Sequence, residues 1–219
     1  DGATADMGMA LLLASARLIA KGDRYARSPE FTHYDPGYML GREAHGMTLG
    51  IIGMGAIGSQ VAKRARAFDM KVLYSNRHRR EDDEVLDVEY RSLDSLLGAS
   101  DYVMLTCPLT EETRNLINGE ALAKMKPTAT LVNIARGGVV DTQALYEALR
   151  AGVIEGAALD VTEPEPLPRD HPLLQLDNVT IVPHLGSATV ETRREMARLS
   201  VENLFLGLEG KPLLHEVRP

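Results

Sequence analysis

Cysteine is nearly absent: among 219 residues only Cys107 carries a thiol. A single cysteine excludes a disulfide framework and fits a reducing compartment. Long apolar runs are lacking as well. The strongly apolar stretch Met7 to Ala16 is far short of the roughly 20 residues a membrane span needs. No basic segment precedes it, so the start does not read as a signal peptide. Nor is there an excess of positive charge. With 24 Lys and Arg against 31 Asp and Glu, the net charge is −7, and no basic footprint for nucleic acid exists. Repeats, low-complexity tracts and long linkers are missing too. What remains, 44% hydrophobic and 25% charged, suits a globular chain with a sizeable core. The expectation is a cytoplasmic protein with neither a membrane nor a nucleic-acid partner. The first residue is Asp1 rather than Met, and the chain reads as starting inside a longer gene product.

Residues 3–21 are apolar on all sides, with Ala and Leu dominant, which predicts one largely buried helix. Gly22 to Gly46 has no period and reads as a connecting segment. After it the pattern alternates. Strands are predicted at Thr48–Ile52, Lys71–Ser75, Tyr102–Thr106, Thr130–Ile134, Gly156–Leu159 and Val179–Val182. Helices are predicted at Ala56–Phe68, Leu93–Leu97, Thr142–Ala151 with Asp141 as N-cap, and Val190–Leu208. Short apolar runs separated by helices signal βαβ units, so the fold class is α/β with a doubly wound parallel sheet.

Ile51-Ile52-Gly53-Met54-Gly55-Ala56-Ile57-Gly58 is an apolar strand running into G-x-G-x-x-G. In such a loop the first glycine permits a tight turn, the second admits a pyrophosphate, and the third lets helix pack on strand. The following helix offers free N–H groups, here from Ala56 and Ile57 onward, to the phosphates. Flavin and methyl-donor sites use similar loops, but the strand–loop–helix context favours a dinucleotide. Where an NAD site wants a carboxylate, at the end of the second strand, the chain has Ser75-Asn76-Arg77-His78-Arg79-Arg80. Loss of the acid removes repulsion against a ribose 2′-phosphate, and Arg77, helped by Arg79 or Arg80, could bind one. The bland alternative is a solvated charge run, since Glu81-Asp82-Asp83-Glu84 follows at once. NADP(H) is therefore favoured over NAD(H).

Three further strand ends carry chemistry: Asn133-Ile134-Ala135-Arg136-Gly137-Gly138, Leu159-Asp160-Val161 with the loop Thr162 to Pro166, and Pro183-His184-Leu185-Gly186-Ser187. An arginine, carboxylates and a histidine on one sheet edge suit binding and protonating an oxo acid. Cys107 and Pro108, just past a fourth strand, join Ile134 and Gly186 as further cofactor-contact candidates. No metal site is expected.

These four segments together, with Glu165-Pro166-Leu167-Pro168 and Pro183-His184-Leu185-Gly186-Ser187-Ala188-Thr189, resemble the D-isomer-specific 2-hydroxyacid dehydrogenases. Within that family they most resemble the glyoxylate/hydroxypyruvate reductase branch. The resemblance implies a Rossmann-type NAD(P)-binding domain over residues 1–219, with 1–25 and 205–219 as interdomain or substrate-domain-facing segments and most of the substrate domain absent. It also implies roles. Arg136 would hold the substrate's carboxylate and carbonyl oxygen. His184 would be the acid–base, and Glu165 would hydrogen-bond it and favour its protonated form. Asp160 would accept from the nicotinamide carboxamide. Glu163 competes with Glu165, but the Glu-Pro match favours the latter. Asn76-Arg77 agrees with the NADPH-preferring branch. The resemblance implies a homodimer, and the apolar excess of residues 3–21 is read as interface. The substrate would be a small 2-oxo or 2-hydroxy acid. A dinucleotide-sensing corepressor-like scaffold is the alternative, because such relatives keep Arg136, Glu165 and His184. A formate-dehydrogenase-like donor would call for an amide at Glu165.

Overall fold

A computed structural model describes residues 1–216. The chain divides into two compact units, Asp1–Gly186 and the segment from Ser187 onward. In chain order the elements are α1 (Gly2–Ala16), α2 (Ile19–Ala26), β1 (Thr48–Ile52), α3 (Ala56–Arg66), β2 (Lys71–Ser75), α4 (Asp83–Leu86), β3 (Glu89–Tyr90) and α5 (Leu93–Ala99). They continue with β4 (Tyr102–Leu105), α6 (Gly119–Lys124), β5 (Thr130–Asn133), α7 (Thr142–Ala151), β6 (Gly156–Leu159), β7 (Val179–Ile181) and α8 (Val190–Leu208).

The seven strands form one parallel sheet in the order β3-β2-β1-β4-β5-β6-β7. Chain direction across the sheet reverses between β1 and β4, the switch point at which open α/β sheets leave a crevice beyond the strand ends. Alternation along each strand feeds two cores. Leu49, Ile51, Met104 and Val132 face α1 and α3, while Ile52, Val103, Leu105 and Leu131 face α5, α6 and α7. Both faces are covered, which is why these strands are apolar throughout rather than alternately polar.

The predicted helix over 3–21 is in fact two. Leu18 adopts a left-handed conformation (φ 53°), and α1 and α2 meet at 59°. The break has a tertiary cause: Ala16 O, which would continue the helix ladder, accepts Arg42 N at 2.7 Å from the returning connecting segment. The expected apolar excess of this region is also corrected. Ala5, Met9, Leu11, Leu12 and Ala16 are buried within the unit, and Ile19 alone among its large apolar residues is strongly exposed. Among the described residues no single helix is long and apolar enough to cross a membrane.

Helix α7 begins where Asp141 accepts Ala144 N at 3.0 Å and ends at left-handed Gly152, as its sequence signals require. In the second unit, Thr189 caps α8 by accepting Thr192 N, and the Asn203 side chain accepts the Leu214 N–H. Of the expected 205–219 segment, residues 217–219 lie outside the described residues.

Candidate active site and cofactor crevice

The glycine loop joins β1 to α3. Gly53 has φ +101°, a conformation that side chains rarely adopt, and a Cβ there would lie 2.5 Å from Cys107 N. A Cβ at Gly58 would strike Gly53 O at 2.5 Å, so α3 packs on the loop only through glycine. At Gly55 an added Cβ meets nothing within 4 Å. The loop backbone is therefore bare on one side at the N-terminus of α3, where Ala56 and Ile57 open the helix. That bare strip borders a crevice of about 550 Å³ lined by Met54, Asn76, Arg77, Cys107 and Pro108 among others. It lies beyond β1, β2 and β4, at the switch point. Gly53 and Gly58 are required by close approach within the chain, and Gly55 leaves open space in front of the loop backbone; that combination fits a pyrophosphate. Burial pushes the Cys107 thiol up from its ordinary value, so it stays protonated at neutral pH.

The turn after β2 divides the arginines. Arg79 Nε donates to the buried Asp83 at 2.7 Å, and Arg80 donates twice to Asp82, at 2.7 and 2.8 Å. This bidentate bond holds Asp82 below the usual carboxylate range. Arg80 also reaches the glycine loop, its Nη1 donating to Met54 O at 2.8 Å. Asn76 Oδ1 accepts Met54 N at 2.7 Å. Beneath the turn, the buried Tyr74 hydroxyl donates to Asp83 and accepts Arg80 N. Arg77 is exposed on the crevice wall, with its charge acting on Glu112. Arg79 and Arg80, expected as helpers at a 2′-phosphate, are thus committed to carboxylates, as the charge-run alternative anticipates for those two. The carboxylates themselves were visible in the sequence; their partners were not.

Beyond β5, Asn133 shapes the turn that presents Arg136: its side chain accepts Ala135 N and donates to Arg136 O, both at 3.0 Å. A Cβ at Gly137 would sit 2.0 Å from Thr162 O, so this turn seats against the loop after β6. The exposed Arg136 guanidinium donates to Ala135 O at 2.6 Å. Among the described residues it makes no bond to Glu165 or His184. Ile134 is buried in the core with α1, which leaves only its backbone for any ligand.

Glu165 and His184 do meet: Nδ1 lies 2.7 Å from Oε1. Glu163 does not compete, because it pairs with Arg114 at 3.1 Å while its carbonyl accepts the Thr142 hydroxyl. His184 sits at φ 56°, a strained conformation for a histidine. Its holder is Asp160, only 2% exposed. The Asp160 carbonyl accepts His184 N at 2.9 Å, and its two carboxylate oxygens accept Leu185 N at 2.6 Å and Gly186 N at 2.9 Å. Three successive N–H groups thus converge on one residue. The anchoring role of Asp160 was not foreseen, and no local sequence signal marks it. Among the described residues, no group of three or more His, Cys, Asp or Glu could hold a metal ion.

Residues 9–186 match the family described as D-isomer specific 2-hydroxyacid dehydrogenase, NAD binding domain. Over 210 residues the chain is 51% identical to a glyoxylate reductase of Korarchaeum cryptofilum, covering 95% of this chain and 63% of that protein. It is 48% identical to glyoxylate/hydroxypyruvate reductase B of Pectobacterium carotovorum, covering 98% of this chain and 68% of the other. A solved structure from Thermus thermophilus superposes with a TM-score of 0.94 at 49% identity, covering 99% of this chain and 68% of that one. The chain thus spans about two thirds or less of the length of the relatives it matches. A sheet that reverses at its bare glycine loop, a Glu165–His184 pair on its edge and this match agree: the chain belongs to the D-isomer specific 2-hydroxyacid dehydrogenase family, through its NAD-binding domain.

Proposed function

We propose that this chain is the cofactor-binding part of a cytoplasmic reductase that converts small 2-oxo acids, glyoxylate and hydroxypyruvate, to D-2-hydroxy acids and prefers NADP(H). The observation that carries the reading is the 2.7 Å Glu165–His184 pair, set on the same sheet edge as Arg136. With Nδ1 bonded to a carboxylate, Nε2 is the ring nitrogen left to meet a substrate. Arg136 binds the substrate carboxylate as a planar two-point donor. His184 delivers a proton from Nε2 to the carbonyl oxygen and Glu165 stabilises the charged ring before it does so. The residues that would hold the dinucleotide are Gly53, Gly55, Ala56, Ile57 and Gly58 at the pyrophosphate, and Asn76 and Arg77 at the adenine ribose. Cys107 and Pro108 line the same crevice as Asn76 and Arg77, and Ile134, Asp160 and Gly186 would complete the cofactor contacts. When bound, the nicotinamide supplies the hydride that completes the reduction.

This chain alone is expected to bind cofactor and turn over poorly, because hydride transfer requires positioning and water exclusion that one wall of a cleft does not give. Consumption of NADPH with glyoxylate by the full-length protein is the test. No turnover with glyoxylate, hydroxypyruvate or 2-ketogluconate, with either cofactor, would sink the reading. The homodimer belongs to the same proposal, and the connecting segment offers more exposed apolar surface to it than α1, where Met9, Leu11 and Leu12 are buried within the unit. Phe31, Tyr34, Tyr38 and Leu40 in the connecting segment are each about half or more exposed. Sedimentation at twice 23.9 kDa is the expected result.

A further inference from the structure

Met54, the residue between the first two glycines, is gripped from outside its own loop. Its N–H donates to Asn76 Oδ1 at 2.7 Å, its C=O accepts Arg80 Nη1 at 2.8 Å, and its side chain is buried. Both backbone partners come from the turn after β2. That turn is fixed in its own right: the Tyr74 hydroxyl bridges Arg80 N and Asp83, and Asp82 holds the Arg80 guanidinium bidentately. Arg80 is only partly exposed, and its donors Nε, Nη1 and Nη2 all point at protein acceptors.

We propose that Arg80 is a positioning residue for the glycine loop rather than a ligand of the ribose 2′ substituent. Through Met54 O it welds the ribose turn to the pyrophosphate cradle. The inference rests on the dinucleotide reading above and deepens it. Three of its five N–H groups are bonded and its charge is paired bidentately with Asp82, so the Arg80 guanidinium offers a phosphate less than an unpaired one would. A loop whose bare backbone must face a pyrophosphate gains affinity by being held in that shape before the ligand arrives. Arg80 therefore supports every ligand carrying the adenosine diphosphate half, with or without a 2′-phosphate. Arg77, on the crevice wall with no protein bond among the described residues, supports only those that carry one.

Calorimetric titration of this chain with ADP, NADH and NADPH separates the two roles. Arg80→Ala is expected to weaken all three by a similar factor of about ten, leaving the NADPH to NADH ratio intact. Arg80→Lys keeps one donor for Met54 O and is expected to recover part of the loss. Hydrogen exchange at the Met54 amide of the ligand-free protein is expected to speed up in Arg80→Ala, which reads the clamp without any nucleotide. An Arg80→Ala protein that loses NADPH affinity selectively would overturn the proposal and make Arg80 a phosphate ligand. A lower melting temperature with unchanged affinity for ADP would overturn it too, as a purely structural role. If the unmutated chain binds none of the three ligands, the dinucleotide reading falls and this inference with it. Binding that Arg80→Ala leaves unimpaired overturns this inference alone.

Discussion

Around the turn after β2, Asn76, Arg79 and Arg80 are each bonded to a protein group, and among the described residues Arg77 is not. Past β5, β6 and β7, Arg136 stands in solvent, and the His184 and Glu165 side chains are 46% and 39% exposed. The contrast is one of completeness. The cofactor crevice is built from the bare backbone of the glycine loop and braced by a turn whose arginines local carboxylates already hold. A proton transfer coupled to charge development needs water kept away and a second set of donors opposite the first. The first region is finished within these residues, and the second presents a single wall.

The largest effect expected lies at that wall. In the full-length protein, His184→Ala should lower kcat by about 10²–10⁴, the usual contribution of a positioned acid. Arg136→Ala should lower kcat and raise KM together, because its charge meets the substrate in ground state and transition state alike. Steady-state kinetics with glyoxylate decide it. An Arg136 variant with unchanged KM would move the substrate anchor elsewhere and break the assignment of this edge.

A smaller effect separates the exposed dyad from its buried foundation. Asp160 accepts two N–H bonds through a carboxylate that is almost wholly buried. Hydrogen bonds to a charged group contribute about 1.5–3 kcal/mol each. Asp160→Ala should therefore lower unfolding free energy in urea by about 3–6 kcal/mol. It should also release His184 from its left-handed conformation, separating it from Glu165. A loss below about 1 kcal/mol, less than one such bond, would show that the loop after β7 is held by something other than Asp160.

The sheet and its caps were legible because their signals are local. Lys71–Ser75 and Gly156–Leu159 are apolar runs bounded by polar or glycine residues, and Thr142–Ala151 lies between an Asp cap and Gly152; all three begin and end as predicted. The break at Leu18 was not legible, since neither Gly nor Pro marks it and its cause, Arg42 N on Ala16 O, comes from a distant residue. Strand β3 is two residues long and pairs only with β2, too little for a period. At the site, the order Arg136, Glu165, His184 could be read along the chain. Which carboxylate takes which arginine could not: Asp82 and Asp83 stand side by side, and the buried Tyr74 hydroxyl directs Asp83 toward Arg79.

Alkali should act on the half of the sheet that carries the glycine loop. Burial pushes the Tyr102 phenol up to about 12, with its hydroxyl donating to Glu43 O at 2.7 Å. Burial raises Tyr74 as well. A phenol whose folded value is raised favours folding fully below the unfolded value of about 10, and that stabilisation is lost as pH climbs through the folded value. For Tyr102 the loss should approach about 2–3 kcal/mol by pH 12, at 1.36 kcal/mol per unit. Urea midpoints between pH 8 and 11 should fall less steeply for Tyr102→Phe than for the unmutated chain. Parallel curves would assign the alkaline loss to other groups.

The smallest effect expected is the most specific. Arg77 lines the crevice with no protein bond among the described residues, so its guanidinium is available to a ribose 2′-phosphate. One hydrogen bond to a charged group corresponds to roughly tenfold to a hundredfold in affinity. The chain should bind NADPH more tightly than NADH by that factor, and the gap should shrink as salt screens an exposed pair. Glu112 faces the same crevice, so its repulsion of a 2′-phosphate should place the ratio nearer ten than a hundred. Arg77→Ala should bring the ratio close to one while leaving ADP affinity alone. Asn76→Asp should reverse the preference, and the loop should survive the change because a carboxylate oxygen can still accept Met54 N. Calorimetry with both dinucleotides and ADP is the measurement. Equal affinities in the unmutated chain would place Arg77 with its neighbours in a solvated charge run, and the contrast between a finished cofactor turn and an unfinished catalytic edge would lose its selective half.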